Sequence, residues 1–530
     1  MDEFDFVVVG AGSSGAPIVD RLTASGRHSV LLLEAGPDDT NKWLSVPLGF
    51  TKTFLDPDVN WKFATEPEPE LNGRHIYWPC GKVIGGSSAI NGAVYTRGFP
   101  SDFDRWRQMG NLGWSFDDCL PYFKRLEAYP GGASDLHGGD GPVKITQGEY
   151  RNEIGEAFLA ACAEAGLPLL SDFDGREGAG LYHATISGGR RDSTGRAYLA
   201  PARRRANCRV VTGALVERIE VVDGRATGVV YRKDGRSVIA RARHEVVISA
   251  GTVGSPRLLQ LSGLGPAALL AGLGIPVVRN MQGVGENLQD HLGIRSTYRT
   301  WWRLTVNDDM RMPHRRLSAA IEYALLRTGP LTANPAFVGA FVRLSPQSPE
   351  PDTQLLFFPW SSDRVDRGLH KFSGFTILAN QLRPESRGHV RITSPDPSAR
   401  PAIVANYLSA DLDRRSTLSA VKFVRLLART TALSQIITQE LQPGVEAWAD
   451  EDFLDHVRQE GQSSYNPVGT CRMGSDAGAV VDARLCVHGI AGLRIADASV
   501  MPTLVSGNTN AGVIMIAEKG ADLILADARG

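Results

Sequence analysis

At 530 residues the chain is too long for one ordinary core, so two domains, possibly interleaved, are expected. Hydrophobic residues make up 42% and charged residues 22%, and 57 Lys and Arg against 58 Asp and Glu leave a net charge of −1. That balance suits an ordinary globular protein and gives no basic excess for nucleic acid or an anionic membrane.

The N-terminus, MDEFDFVVVGAG, is acidic where a signal peptide would be basic, and its apolar run moves at once into a glycine loop. Phe6 to Val9 read as a buried parallel strand. Gly10, Gly12 and Gly15 then form G-x-G-x-x-G. The first glycine permits the tight turn, the second lets a pyrophosphate approach the backbone, and the third lets the helix pack on the strand. Ser13 and Ser14 lie inside this loop and are counted with the site. Ile18, Val19 and Leu22 give the following helix an apolar stripe, and Val30 to Leu33 form a second strand ending in Glu34 and Ala35. An acid about 20 residues beyond the last glycine suits a ribose 2′-hydroxyl and disfavours a 2′-phosphate. This unit fits FAD or NAD and disfavours NADP; its bland reading is a glycine turn without ligand.

Residues 36–61 show little periodicity and read as a long surface loop. Gly85, Gly86, Ser87 and Ser88 offer small, hydrogen-bonding groups where backbone must meet a flat ring closely. The basic run in RAYLAPARRRANC reads as solvated surface. His291, after Asp290, is expected to make a structural hydrogen bond. Trp301, Trp302, Phe357, Phe358 and Trp360 read as core and are left outside the site. HVRIT alternates like a half-buried strand, and Leu418, Val421, Val424 and Ala428 recur at near-helical spacing. No apolar run reaches the roughly 18 residues of a membrane span. The six cysteines form no C-x-x-C pair and the 11 histidines show no metal spacing, so free thiols, a reducing cytoplasm and no metal are expected.

Four stretches carry a family resemblance: GKVIGGSSAINGAVYTRGFPSDFD (81–104), GTVGSPRLLQLSGLG (251–265), GVGENLQDH (283–291) and GLRIADASVMPTLVSGNTNAGVIMIAEKGADLI (492–524). Together they resemble the glucose–methanol–choline (GMC) oxidoreductases, with a looser match over roughly 300–460. The resemblance implies an α/β fold: a Rossmann-like FAD-binding domain of discontinuous segments with an inserted α+β substrate domain, an antiparallel sheet backed by helices. The FAD-binding domain would take 1–150, 200–300 and 466–530, with a covering segment over 36–75; the substrate domain would take 151–199 and 301–465. It implies FAD, with Asn91 and neighbouring Gly92 and Val94 near the flavin's reactive edge and Val216 facing the adenine. Asp497 and Ala498 would lie at the pyrophosphate or ribityl chain, and Asn508 and Thr509 also beside the cofactor. Some relatives attach flavin covalently through a histidine where this chain has Ile90, so non-covalent FAD is expected.

The loop SSYNPVGTCRMG (463–474) carries the central question. Relatives use a histidine there to take the hydroxyl proton while a hydride leaves for flavin N5. This chain has Asn466, and the partner position about 40 residues on matches Asn508, beside Asn510. An amide orients a hydroxyl or a carboxylate, but it is no general base near neutrality. The leading expectation is a cytoplasmic FAD-dependent enzyme oxidising a primary alcohol to an aldehyde, with oxygen, a quinone or another carrier taking the electrons. The alternatives are a non-redox relative, of the light-driven fatty-acid decarboxylase or hydroxynitrile lyase type, and an inactive or engineered flavin-binding variant. Decarboxylase-type relatives anchor a carboxylate with an arginine; the corresponding strand here carries Leu355, Leu356, Phe357 and Phe358, with Arg343 nearby.

Overall fold

A computed structural model describes residues 2–147, 151–363 and 368–529. Strand β1 (Asp2–Val9), helix α1 (Gly15–Thr23) and strand β2 (Val30–Leu33) form the first unit, with Phe6 opposite Val30 and Val9 opposite Leu33 in parallel register. Phe6 to Val9 and Val30 to Leu33 are buried throughout, as near-continuous apolar runs in a parallel sheet covered on both faces must be. On the far side of β1 lies the parallel strand Arg236–Ile248, which is also paired with Leu493–Ile495. Cys208–Val211 extends the other edge beside β2. Leu215–Val222 and Arg225–Lys233 close the sheet as an antiparallel flap. One sheet therefore gathers strands from both ends of the chain and from its middle, and the last helix, Asn510–Asp527, packs on α1.

The second sheet runs Ile437–Gln442, Leu292–Thr300, Gly374–Gln381, Thr353–Phe358, Val338–Val342 and Gly178–Leu181, antiparallel at each step. Helices Glu153–Glu164 and Asp411–Ala428 cover one face. The period of two divides the side chains. Leu355 and Phe357 join Phe158 and Val424 in a core under the helices, while Leu356 and Phe358 look the other way, into a cavity between the sheets. Val421, Val424 and Ala428 are the buried stripe of the longer helix, with Leu418 half-buried beside it. The α/β class expected from the sequence is the class observed. The second sheet begins earlier than the expected boundary at 301. Leu292–Thr300 bonds to Gly374–Gln381 along its length, because its inward residues pack with that sheet.

Among the described residues no helix is long and apolar enough to cross a membrane. All six cysteines are free.

Candidate functional site

A cavity of about 380 Å³ lies between the two sheets. The glycine loop after β1 forms part of its wall. A Cβ on Gly10, at φ +97°, would sit 2.5 Å from the Ser249 carbonyl oxygen, and one on Gly15 would sit 1.9 Å from the Gly10 carbonyl oxygen. Those two glycines serve the backbone's own packing. Gly12 differs: its nearest neighbour would be Gly86 Cα at 3.8 Å, so its side toward the cavity is open. Gly86 has φ +52°, and a Cβ there would meet Gly12 Cα at 2.6 Å. Two glycine turns thus lie face to face, leaving backbone exposed to whatever fills the cavity.

Three helix N-termini open on this space: α1 through Ser13 and Ser14, Gly251–Leu261 through Gly251 and Thr252, and Asn510–Asp527 through Thr509 and Asn510. Unpaired N–H groups and the helix dipole make such ends suited to a pyrophosphate. Glu34 is buried at the end of β2; its Oε2 accepts from Ala11 N–H and its Oε1 from Gly36 N–H, both at 2.8 Å. Burial pushes its carboxyl up to about 6, against the pull of those bonds. Asp497 is also buried and raised by burial. Its Oδ2 accepts from Gly251 N–H at 2.9 Å and the Ser255 hydroxyl at 2.5 Å, and its Oδ1 from Ser499 N–H at 2.8 Å. It ties the end of the strand Leu493–Ile495 to the start of the helix Gly251–Leu261.

On the opposite side the loop after Gln462–Ser463 carries Asn466, which is 5% exposed. Its Nδ2 donates to Ser464 O at 2.9 Å, and its Oδ1 accepts from Thr509 N–H and the Thr509 hydroxyl, both at 3.3 Å. Asp290 holds the loop: it accepts from Asn466 N–H at 2.9 Å, from the Ser463 hydroxyl at 2.5 Å and from the Tyr407 hydroxyl. Burial pushes Asp290 up to about 6. Asn508 Oδ1 accepts from Gln354 Nε2 at 3.3 Å, across to the second sheet. Asn510, its neighbour in sequence, instead accepts from Ser13 Oγ at 2.7 Å and belongs to the glycine-loop side. Asn91 Oδ1 accepts from Ala93 N–H at 2.9 Å and from Arg191 Nη1 at 2.7 Å. Arg191 is buried, and burial pushes its guanidinium down to about 10.

Nearly all the residues singled out from the sequence line this one cavity: Gly10, Gly12, Ser13, Ser14, Glu34, Ala35, Gly86, Ser87, Asn91, Gly92, Val94, Val216, Asn466, Asp497, Ala498, Asn508 and Thr509. Gly15 and Gly85 stand behind the wall. Gly85 N–H donates to Ala11 O at 2.8 Å and so joins the two glycine turns. His291 is buried with Nε2 donating to Leu382 O at 3.0 Å, and burial lowers its pKa to about 4, so it stays neutral and structural. The aromatic group divides. Phe358 and Trp360 line the cavity, Phe357 is core, Trp302 packs beside that core, and Trp301 is 61% exposed. Arg343 is exposed and its backbone N–H donates to Glu177. The covering segment contributes Phe50, Phe54, Trp61 and Phe63 to the wall.

Arg295 escaped the sequence reading. It is 3% exposed, in the strand Leu292–Thr300, and lines the cavity. The available signal was an arginine inside a strand, LGIRSTYRT, whose first seven residues are all buried.

The residues present suit a bound FAD: an open glycine pair, three helix N-termini, a buried acid at the end of β2 and a largely apolar space. Two models of the family described as GMC oxidoreductase match the chain, one over residues 4–293 and one over 384–517. The chain is 39% identical over 528 residues to an oxygen-dependent choline dehydrogenase of Vibrio vulnificus, covering 98% of this chain and 94% of that one. It is 40% identical over 536 residues to the mitochondrial choline dehydrogenase of Homo sapiens, covering 99% and 90%. Among solved structures, pyridoxine 4-oxidase from Mesorbium loti superposes with a TM-score of 0.88 at 29% identity, covering 98% of each chain. A formate oxidase of Aspergillus oryzae RIB40, studied for modification of its FAD, superposes with a TM-score of 0.94 at 26% identity, covering 100% and 99%.

Proposed function

The chain belongs to the GMC oxidoreductases as an FAD-dependent alcohol oxidoreductase, and from that premise we propose that it oxidises a primary alcohol to an aldehyde with asparagines, and no histidine, at the reacting oxygen. FAD bound in the cavity supplies the hydride acceptor. Glu34 would hold the adenosine ribose, the α1 and Asn510–Asp527 N-termini the pyrophosphate, and Asn91 the flavin end. Ile90 lines the cavity with a hydrocarbon side chain, which supports non-covalent attachment.

One observation carries the reading of the catalytic loop. The carbonyl end of each asparagine is occupied by protein, Asn466 by Thr509 and Asn508 by Gln354. Thr509 N–H and the Ser464 carbonyl set the Asn466 amide, and Asn508 accepts from the Gln354 amide. Asn466 Nδ2 spends one of its two hydrogens on Ser464 O, and Asn508 Nδ2 has no protein partner among the described residues. Each asparagine is left with an N–H to give to a substrate oxygen. Two such donors on that oxygen would stabilise the negative charge it gathers as its proton leaves. Neither residue can take the proton, and the oxygens of Asp290 are occupied by the loop it holds, so the proton passes to water. The free thiols support a reducing, cytoplasmic setting.

The test is anaerobic mixing of the yellow holoenzyme with a panel of primary alcohols in the dark, followed by air. Bleaching by an alcohol supports the reading, and the rate of recolouring in air distinguishes oxygen from another electron acceptor. Turnover that needs blue light, with no bleaching in the dark, overturns it in favour of decarboxylase-like chemistry.

A further inference from the structure

Choline, pyridoxine and formate, after which the similar proteins are named, differ in charge, so the charge of this chain's substrate has to be read from its own cavity wall. Arg295 lies on Leu292–Thr300, one strand in from the edge of the second sheet, opposite Leu378, and lines the cavity with Leu356, Phe358 and Trp360. Its Nη2 donates to the Ser362 hydroxyl at 3.3 Å. Its Nη1 is buried and has no hydrogen-bond partner among the described residues, and no described carboxylate lies within ion-pair distance. Its Cζ stands 5.4 Å from the centroid of the Trp360 ring. A guanidinium stays charged even where burial lowers its pKa, as it does here. A buried, unpaired charge is costly, so natural proteins keep one where something meets it.

Among the described residues no carboxylate hydrogen-bonds to Arg295, and Glu460 and Asp363 act on its charge at longer range. The carboxylates on the cavity wall, among the described residues, are Glu34 and Asp497, and all four of their oxygens already accept from N–H or O–H groups on the dinucleotide side. Building on the oxidation reading above, we propose that Arg295 is the anchor for an anionic group of the substrate, so that the enzyme acts on an alcohol bearing a carboxylate and discriminates against quaternary ammonium alcohols. The walls favour a carboxylate over a phosphate. Arg295 offers one unoccupied Nη, Tyr465 lies within electrostatic reach of it, and Phe358, Trp360 and Leu356 line the same cavity, which suits a monoanion on an apolar stem. A quaternary ammonium would instead meet the guanidinium charge, and the Trp360 face that could attract it is already taken.

Two measurements on the FAD-loaded enzyme decide this. The first compares anaerobic flavin reduction by 6-hydroxyhexanoate, its amide, its phosphate-bearing counterpart and choline. The carboxylate should exceed the amide and choline in kcat/KM by at least about tenfold, and the phosphate should fall below the carboxylate. In Arg295→Gln the carboxylate-to-amide ratio should collapse to near one. Choline equal to or better than the carboxylate, or a ratio unchanged in R295Q, overturns the proposal. The second is calorimetric titration of the unaltered enzyme with hexanoate and with hexanamide, which needs neither turnover nor a folded variant. Hexanoate should bind at least about tenfold more tightly; equal binding overturns the anion site. If no alcohol of any charge bleaches the flavin, the oxidation reading falls, and the titration alone then decides for or against Arg295.

Discussion

Glu34 and Asp497 on one wall of the cavity and Arg295 on the other are all buried charged groups, but where the two carboxylates have both oxygens engaged, Arg295 Nη1 has no hydrogen-bond partner among the described residues. The dinucleotide wall is complete as it stands: its acids bind backbone N–H groups, its glycines fill each other's space, and its helix starts are fixed by Asp497 and Ser13. The substrate wall is incomplete. Arg295 has an orphan donor, and Asn466 and Asn508 have their acceptors engaged and N–H groups to spare. A wall built for a cofactor shared by a whole family can be locked by local motifs. A wall built for one substrate keeps open valences whose chemistry states what is missing, here a negatively charged oxygen.

The largest expected effect tests what the substrate wall lacks. Asn466→His places a titratable nitrogen on a loop already held by Asp290. Supplying the absent base should raise anaerobic flavin reduction by an alcohol by roughly 10²-fold or more. The gain should grow with pH around a midpoint near 6.5, where an unperturbed imidazole loses its proton. A slower enzyme would show that the amide's donors matter more than a base, and that the proton already has an efficient way out.

The dinucleotide wall should break differently. In Glu34→Gln the amide's NH₂ end must face either Ala11 N–H or Gly36 N–H, donor to donor. Leaving a buried donor unmet costs about 1–3 kcal/mol. That cost falls on the stability of the fold, while loss of the charge-assisted bond to the ribose, worth about 1.5–3 kcal/mol, should weaken FAD binding by roughly tenfold to a hundredfold where R295Q leaves it unmoved, as equilibrium dialysis would show. Equal FAD loss in both variants would dissolve the contrast between the walls.

How legible these walls were follows from their construction. The glycine loop and Glu34 announce themselves by spacing along short stretches, because a turn or a strand end needs particular residues at particular offsets, whereas the Asn466 and Asn508 pair was legible only through the family resemblance. The strand Leu292–Thr300 and its Arg295 do not. Sheet membership there depends on pairing with Gly374–Gln381, far along the chain, and the inward face of a strand is known only once its register is. The same holds for Phe358 against Phe357: adjacent in sequence, one faces the cavity and the other the helix-covered core. Asp290 was visible as a motif residue, but its work of holding Ser463, Tyr407 and Asn466 appears only in three dimensions.

Within the dinucleotide wall, two glycines separate packing from binding. Gly15→Ala drives a Cβ to 1.9 Å from a backbone carbonyl oxygen that cannot yield, and should cost the FAD-free protein about 1–3 kcal/mol or more. Gly12→Ala meets nothing nearer than 3.8 Å, so it should leave thermal stability without FAD within about 0.5 kcal/mol and lower FAD affinity instead. Similar losses of stability in both would mean that the Gly12 side is closed.

The smallest effect is a pH dependence with two opposite slopes. Burial raises the Glu34 carboxyl from 4.5 to about 6, so without FAD the folded chain holds this proton more tightly than the unfolded chain does. Its contribution to stability is therefore greatest below 4.5 and is lost as pH rises through 6, a change of about 2 kcal/mol at most. Asp290, also raised to about 6, adds in the same direction. FAD works against that slope. A ribose hydroxyl bonds best to an ionised carboxylate, so the Glu34 proton must leave for FAD to bind well, and affinity should fall below pH 6 by no more than about tenfold per unit. Melting temperatures taken with and without FAD from pH 7 to pH 5 should converge as the pH falls, and in Glu34→Gln the FAD-dependent gap should lose most of its pH dependence. A gap that stays constant with pH in the unaltered protein would remove Glu34 from the ribose and leave it a structural acid closing the turn between Ala11 and Gly36.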